Sequence, residues 1–228
     1  LESPGAASAV LLGGDAGVGK TRLLTELARR ARGSGWRVLV GHCLDFADGS
    51  LAYLPFSEMF GHLASHEPAL TEKLLSRRPE VARLLPGRRM LARGSGADGS
   101  AADAATHDRS TNERTTDDRG HMDRSHLMDA VHGALTDLGA ESPVLLVIED
   151  AHWADQSTRE MLALLFSRPP AGPVAIVVSY RSDDLHRRHP LRAAAAEWSR
   201  LPVVSRVQLG PLGDDDVRRL VLSLLPGP

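Results

Sequence analysis

The chain has 228 residues, of which 42% are hydrophobic, so it can bury the core of one α/β domain and the beginning of a second domain. Its formal net charge of −2 excludes a general attraction to nucleic acid or to an anionic membrane, and Cys43, its single cysteine, excludes an internal disulfide. No apolar run approaches the ~20 residues that a membrane-spanning helix requires.

The first predicted element is an apolar strand from Ala9 to Gly13, which leads into a glycine-rich turn. The turn reads Gly14-Asp15-Ala16-Gly17-Val18-Gly19-Lys20-Thr21, the pattern G-x-x-x-x-G-K-T, and an amphipathic helix pattern follows as far as Arg32. Glycines let the backbone turn tightly and approach a chain of phosphates, whose oxygens bind backbone amides and the positive end of the helix dipole. A strand before the turn and a helix after it are the context that a phosphate-binding P-loop requires.

Two side chains of this turn have separate tasks in such a P-loop. Lys20 would reach the β and γ phosphates of a nucleoside triphosphate as a point charge, and Thr21 would bind Mg²⁺. Lys20 and Lys73 are the only lysines of the sequence, which otherwise uses arginine for positive charge. We therefore take the residues from Gly14 to Thr21, with Arg22 after them, as the candidates for nucleotide binding.

The next predicted elements are a strand from Trp36 to His42 and helical stretches near Pro55 to Ser65 and Pro68 to Leu85. The segment from Gly94 to Gly120 differs from them, because it has no aromatic and almost no aliphatic residue. Such a segment buries too little surface to offset the entropy of ordering it, so we predict a flexible insertion within the domain. A helix is predicted after it, from Asp123 to Gly139.

A second motif follows the apolar run from Val144 to Ile148, which is typical of a central parallel strand buried on both faces. The acids Glu149 and Asp150 stand at its carboxyl end, where ligands bind in open α/β sheets. In a Walker B motif one acid holds Mg²⁺ through water and the next orients or deprotonates the attacking water. Thr21, Glu149 and Asp150 are therefore the candidate metal ligands.

A third motif is predicted at the end of a strand from Val174 to Ser179. The strand is followed by Arg181, which would either sense a γ-phosphate or be an ordinary surface arginine, and the residues alone leave both alternatives open. Between the second and third motifs we predict a helix from Asp155 to Phe166, capped by Asp155 itself. The remaining predicted elements are a helix from Leu191 to Arg200, a strand from Val203 to Leu209 and a helix from Val217 to Leu225.

Four stretches of the sequence resemble a known family. They are the P-loop, then Val147-Ile148-Glu149-Asp150-Ala151-His152-Trp153-Ala154-Asp155, and then Ser179-Tyr180-Arg181-Ser182-Asp183-Asp184 with His189-Pro190-Leu191-Arg192. With them, nearly the whole chain except 94–120 resembles the ATP-binding module of large LuxR-type bacterial transcription regulators, of the STAND branch of AAA-like P-loop ATPases. The resemblance implies an α/β P-loop NTPase sandwich over residues 1–210, with a five-stranded parallel sheet in the order 5-1-4-3-2. It also implies that residues 211–228 begin a helical lid and that a helix-turn-helix lies further on.

The resemblance also implies roles for individual residues. Lys20 and Thr21 would serve the phosphates and Mg²⁺, Glu149 would take the metal-side place and Asp150 the water-side place. Arg181 would match the γ-phosphate sensor. Many active members of this branch place the shorter acid first, so the order Glu149 then Asp150 favours slow, Mg²⁺-dependent ATP hydrolysis and a switch over a motor. Just after the acids, we expect Trp153 to pack beneath the site as core, while His152 would either hydrogen-bond near the phosphates or cap the turn.

The expected partners are ATP and ADP, with self-association in the ATP state. This segment would not touch nucleic acid or membrane directly, since DNA binding belongs to the helix-turn-helix, and the expected location is the cytoplasm. Two alternatives remain open from sequence. One is a freestanding P-loop NTPase or small-molecule kinase, for which Arg187 and Arg188 could supply an arginine-rich lid. The other is a scaffold that binds no nucleotide, against which the intact Lys20-Thr21 pair argues.

Overall fold

A single parallel sheet organises the chain. The computed structural model describes residues 8–45, 51–85 and 109–224, and for residues 109–121 and 224 it describes the backbone alone. The sheet has the order β2-β3-β4-β1-β5 and every pairing in it is parallel, which confirms the predicted order. The strands are β1 (Ala9–Gly14), β2 (Arg37–His42), β3 (Val144–Glu149), β4 (Val174–Arg181) and β5 (Val204–Leu209).

Helices pack on both faces of the sheet and give the three layers expected of a P-loop NTPase. They are α1 (Lys20–Gly33), α2 (Leu54–His66), α3 (Pro68–Arg77), α4 (Arg109–Glu141), α5 (Gln156–Ser167), α6 (Pro190–Trp198) and α7 (Asp214–Leu224), with short 3-10 helices at Pro79–Leu84 and Ala151–Trp153. Strand β3 contacts the helices on both faces of the sheet. On one face Leu145 and Val147 pack with α1. On the other face Val144, Leu146 and Ile148 join the larger core. Its continuous apolar run is therefore buried on both faces, as predicted.

Helix α4 begins earlier than the sequence predicted. We expected a flexible insertion from Gly94 to Gly120, but the helix starts at Arg109, and residues 94–108 lie outside the described residues. The run from Arg109 to Arg119 contains no glycine or proline, and extending an existing helix adds one hydrogen bond for each residue that is ordered. At 33 residues α4 is long but polar, and no helix of the described ranges is apolar enough over sufficient length to cross a membrane.

Helix α7 differs from the other helices because its apolar side chains are exposed. Val217, Leu220 and Val221 are about half-exposed and lie on a helix that begins with three aspartates. Acidic residues in the first turn interact favourably with the helix dipole, which explains why the helix begins at Asp214. The start of a helical lid at residues 211–228, of which 225–228 lie outside the described residues, remains a prediction.

Candidate nucleotide-binding site

The sheet topology brings the three sequence motifs to one edge. Because β4 lies between β1 and β3, the carboxyl ends of these strands are neighbours, and Gly14 at the end of β1 pairs with Arg181 at the end of β4. The backbone N–H of Ser182 also donates to the Gly14 carbonyl, at 3.2 Å. The P-loop, the acids after β3 and the polar residues after β4 therefore share the edge where ligands bind in open α/β sheets.

The backbone of the P-loop forms an open cluster of hydrogen-bond donors. Gly17 and Gly19 have φ angles of 74° and 101°, a region that side chains other than glycine rarely adopt, and a Cβ at Gly14 would lie 2.9 Å from a backbone oxygen of β5. Within the described residues, no hydrogen bond uses the backbone N–H groups of Gly17, Gly19, Lys20 or Thr21. The loop and the first turn of α1 thus present unpaired amides, which is the arrangement that binds phosphate.

Lys20 supplies a buried positive charge beneath this loop. Its side chain donates hydrogen bonds from Nζ to the carbonyl oxygens of Gly14, at 2.7 Å, and Asp15, at 2.8 Å. Both acceptors are neutral, and no carboxylate forms an ion pair with Lys20 among the residues that the structure describes. A buried ammonium whose two hydrogen-bond acceptors are neutral favours binding of an anion, so Lys20 suits a phosphate.

The structure brings Thr21 and Glu149 into direct contact. The Thr21 hydroxyl donates to Glu149 Oε2 at 3.0 Å, and the Glu149 carboxylate is only 12% exposed. A hydroxyl and a carboxylate oxygen are ligands that suit Mg²⁺, which usually keeps several waters and takes phosphate oxygens as well. No cluster of three or more His, Cys, Asp or Glu side chains is placed to hold a metal in the described part of the chain. The pair therefore fits a magnesium ion that shares its coordination with a nucleotide.

The second acid, Asp150, contacts other groups than this pair. Its backbone is left-handed, with φ 56° and ψ 42°, and its N–H donates to the Ser179 hydroxyl at 3.3 Å. Aspartate tolerates this conformation better than most residues because its short polar side chain can bond locally. The turn directs the Asp150 carboxylate towards His152, whose Nδ1 lies 3.9 Å from Oδ1. The two acids therefore face different groups, as separate roles would require.

His152 and Trp153, which lie shortly after the acids, differ in how far they are buried. His152 is buried, with its side chain 1% exposed, whereas the Trp153 residue is 41% exposed, so our expectation that Trp153 packs as core is wrong. Burial lowers the pKa of His152 even though the charges of Asp150 and Asp184 act to raise it. The ring is therefore neutral near pH 7.

The four arginines named in the sequence analysis as candidates for the site or a lid are all at least partly exposed to solvent. Arg181 is partly exposed at the end of β4, with a guanidinium nitrogen 3.9 Å from Asp184 Oδ2. Arg22 is exposed on the first turn of α1, and Arg187 and Arg188 are exposed after β4. Of these arginines, Arg181 is the one whose strand end pairs with the P-loop, at Gly14, and its role as γ-phosphate sensor or surface arginine stays a prediction.

Sequence reasoning missed Asp183 as part of the site. Its carboxylate accepts a hydrogen bond from the backbone N–H of Ala16 in the P-loop, at 3.3 Å. Burial acts to raise the pKa of Asp183, but the Ala16 N–H and the charges of Lys20 and Arg181 bring it below its usual value. Two aspartates after a strand do not predict this contact, because it depends on the loop after β4 folding back against the P-loop.

His42 and Glu58 were also missed, on the far side of Glu149. His42 Nε2 lies 3.9 Å from Glu149 Oε1, and His42 Nδ1 lies 3.1 Å from Glu58 Oε2. The backbone N–H of His42 donates to the same Glu58 oxygen at 2.7 Å. These contacts depend on α2 packing beside the end of β2, which residue spacing alone did not indicate.

An open loop of backbone amides, a buried lysine and a strand-end acid that meets the loop threonine define a P-loop nucleotide-binding domain. The chain belongs to the AAA ATPase domain family, whose profile matches residues 1–178. It is also similar to an uncharacterized protein of Rhizobium meliloti (strain 1021), with 27% identity over 232 residues that cover 97% of this chain. The chain spans 20% of the length of that relative.

Several solved structures are similar at low sequence identity. One is a signal transduction ATPase with numerous domains (STAND) with a tetratricopeptide repeat sensor from Pyrococcus horikoshii, with 16% identity, a TM-score of 0.43 and coverage of 97% of this chain and 24% of that chain. Another is AMPPCP-bound DnaA from Aquifex aeolicus, with 12% identity, a TM-score of 0.43 and coverage of 96% and 46%. A chain of the E. coli MS115-1 HORMA:CdnC:Trip13 complex has 14% identity, a TM-score of 0.45 and coverage of 98% and 55%.

Proposed function

We propose that this domain binds Mg²⁺ and ATP and hydrolyses the ATP slowly, and that it acts as the switch of a LuxR-type transcription regulator. The observation that carries the nucleotide part is the 3.0 Å contact between Thr21 and Glu149, because it joins the P-loop to the acids of a distant strand. A glycine turn that matched the pattern by chance would have no reason to meet that strand end. The ATP site then lies between the P-loop, the end of β3 and the end of β4.

Each group of the site has a role in this proposal. Unpaired amides of the P-loop bind phosphate oxygens, and Lys20 neutralises their charge. Thr21 and Glu149 hold Mg²⁺, which would stabilise negative charge on the phosphates when bound. Asp150 orients a water molecule whose oxygen bonds to the γ-phosphorus while the bond to ADP breaks, giving ADP, phosphate and a proton. Arg181 reads whether the γ-phosphate is present.

Slow hydrolysis follows from the position of the second acid. Asp150 has a shorter side chain than glutamate, and its left-handed turn directs it towards His152 at one border of the site. A carboxylate that reaches the attacking water poorly orients it for a smaller fraction of the time, and this lowers the rate without weakening nucleotide binding. A long-lived ATP state suits a switch.

The regulator part of the proposal rests on the resemblance of the E-D-x-H-W-A-D stretch and on the exposed apolar face of α7. A helix with half-exposed Val217, Leu220 and Val221 has a surface that further protein can cover. We propose that the ATP state promotes self-association, and that DNA is contacted by a helix-turn-helix elsewhere in a longer protein. A cytoplasmic location is part of the same proposal.

The two lysines of the chain, Lys20 and Lys73, provide the variant and the control for a test of nucleotide binding. Lys20→Ala should weaken the binding of Mg²⁺ and a non-hydrolysable ATP analogue by about 10–100-fold in calorimetry, because a charge-assisted hydrogen bond contributes about 1.5–3 kcal/mol. Lys73→Ala is the matched control, since Lys73 pairs with Glu141 at the surface, 2.6 Å away. Equal affinity in the two variants would contradict the assignment of the P-loop.

The regulator role needs a test in the longer protein that contains this domain. Sedimentation should show a larger assembly with Mg²⁺ and the ATP analogue than with ADP, and the same addition should change retention of the protein on DNA. Neither change should occur with Lys20→Ala. Normal ATP binding without any change in assembly or in DNA retention would leave an ATPase domain and refute the switch.

A further inference from the structure

The side chain of one buried histidine beside the proposed ATP site has no hydrogen-bond partner among the residues that the structure describes. His152 lies in the short 3-10 helix Ala151–Trp153, its side chain is 1% exposed, and neither of its ring nitrogens makes a hydrogen bond within the described residues. A buried polar group without a partner loses its interactions with water and gains nothing in return, so native structures keep few of them. Two such nitrogens on one ring indicate a role beyond packing.

Two carboxylates lie just outside hydrogen-bond range of this ring, one on each side. Nδ1 is 3.9 Å from Asp150 Oδ1, and Nε2 is 3.5 Å from Asp184 Oδ2. The same Asp184 oxygen is 3.9 Å from a guanidinium nitrogen of Arg181. A movement on the order of 0.5–1 Å would turn either ring contact into a hydrogen bond, and catalytic contacts often tighten by such amounts when substrate binds.

The ring is held in place by its backbone, whereas the carboxylates have room to move. The turn that carries His152 is closed by hydrogen bonds from Trp153 N to Asp150 O, at 2.9 Å, and from Ala154 N to Ala151 O, at 3.0 Å. By contrast, the side chains of Asp150 and Asp184 are both partly exposed. Any change in these contacts therefore moves the carboxylates towards a fixed imidazole.

We propose that His152 is a positioning residue that exchanges one hydrogen bond between these two carboxylates. A neutral imidazole carries a single N–H, so a bond to one carboxylate leaves a lone pair facing the other. In the ATP state Nδ1–H donates to Asp150 and holds it against the attacking water. The lone pair on Nε2 then repels the Asp184 carboxylate, which pairs with Arg181 instead. In the resting state Nε2–H donates to Asp184. The change to the ATP state passes the Nε2 proton to water by way of Asp184, and Nδ1 takes one proton from water by way of Asp150, so the ring stays neutral. Both carboxylates are partly exposed to solvent and can relay these protons. This inference rests on the proposed ATP hydrolysis.

Substitutions that keep one donor and lose the other test this role. Asparagine places an amide N–H near the position of Nδ1, and glutamine places one near Nε2. We expect His152→Leu to lower kcat about 10–100-fold, the usual effect of removing a group that orients a catalytic residue, with KM and the calorimetric Kd for the ATP analogue changed less than about twofold. His152→Asn should recover most of kcat and His152→Gln should not.

His132 offers a matched control. Its Nε2 is likewise buried without a partner in the described residues, but it lies on α4 and not at the site. His132→Leu should leave kcat and KM unchanged. Equal losses of kcat in the His152 Leu, Asn and Gln variants, or a loss in His132→Leu as large as the loss in His152→Leu, would overturn the proposal.

Nuclear magnetic resonance separates this inference from the proposed function. Long-range ¹H–¹⁵N correlation spectra distinguish the two imidazole tautomers, and the His152→Asn variant assigns the signal among the 10 histidines of the chain. Addition of Mg²⁺ and the ATP analogue should shift His152 to the Nδ1–H form. If calorimetry shows that the analogue binds and the tautomer does not change, the inference is wrong while the ATP site stands. If the analogue does not bind, the proposed function fails and the inference fails with it.

Discussion

Asp183 shows how one side chain changes the electrostatics of a phosphate site. Its carboxylate bonds to an amide of the P-loop, the group of atoms that the phosphates of a nucleotide approach. Because its pKa is lowered from the usual 3.8, Asp183 is ionised throughout the neutral range. The contact with Ala16 therefore contributes its full share of folding stability above the unfolded-state pKa of 3.8. This contribution is lost as the pH falls through the lower pKa of the folded state. A negative charge here opposes a triphosphate.

Removing that charge should strengthen nucleotide binding. We expect Asp183→Asn to bind the ATP analogue about three- to tenfold more tightly, because the amide keeps the shape and an acceptor oxygen but no longer repels the phosphates. The gain should be the same from pH 6 to pH 8, where the wild-type carboxylate stays charged, and it should shrink at high salt. Calorimetry at two salt concentrations measures it. Asp129→Asn, which removes a surface partner of Arg168, is the control. Weaker binding by Asp183→Asn would mean that the carboxylate helps to hold the nucleotide.

At the scale of elements, the sequence predicted strands better than contacts between loops. The short apolar runs before Gly13 and Glu149 are typical of buried parallel strands, and the turn residues around them favoured strands over longer helices. The start of α4 was wrong by 14 residues, since composition indicates how much surface a segment buries but not whether a neighbouring helix extends into it. The predicted burial of Trp153 was also wrong, because the sequence did not show that a short 3-10 helix would turn this side chain outwards.

The last aspartate of the E-D-x-H-W-A-D stretch has a structural role that the sequence did predict. Asp155 precedes α5, and its carboxylate accepts hydrogen bonds from the backbone N–H groups of Ser157, at 2.9 Å, and Thr158, at 3.2 Å. The Thr158 hydroxyl also donates to it. These bonds satisfy amides that the first turn of a helix leaves unpaired. The aspartate is thus explained by helix capping and needs no part in the chemistry.

The cap gives a stability prediction for this element. Asp155→Ala should lower the free energy of unfolding by about 1 kcal/mol and the thermal midpoint by about 2–4 °C. Asp155→Asn keeps an acceptor oxygen at the cap and should lose less than half as much. Both variants should bind the ATP analogue normally. A loss of nucleotide binding in Asp155→Asn, with an unchanged midpoint, would instead place the charge of this residue in the site.

At the scale of the whole molecule, one edge of the sheet collects nearly all of the chemistry. Strand order placed β4 between β1 and β3, and this order alone brings Arg181 beside Gly14 and Thr21 beside Glu149. The order followed from the resemblance and not from residue spacing, because spacing does not reveal which strands are neighbours. The contacts of Asp183 with Ala16 and of His152 with Asp184 were not predicted for the same reason, since each of them joins loops that follow different strands. Folding and nucleotide binding are therefore linked, because only the assembled sheet forms the site.

That link predicts a stabilisation that depends on both Mg²⁺ and Lys20. At a concentration about 100 times its Kd, a ligand that binds only the folded state adds about 2.7 kcal/mol to the free energy of unfolding, so the thermal midpoint should rise by about 5–10 °C. Scanning calorimetry with the ATP analogue should show this rise in the wild type and in Lys73→Ala. Chelation of Mg²⁺ or Glu149→Gln should remove part of the rise, because the contact with Thr21 would no longer support the metal. Lys20→Ala should remove about half of the rise or more at the same concentration, since a 10–100-fold weaker Kd leaves about 1.4–0.4 kcal/mol. A full rise in Lys20→Ala would show that the nucleotide stabilises the protein from another place.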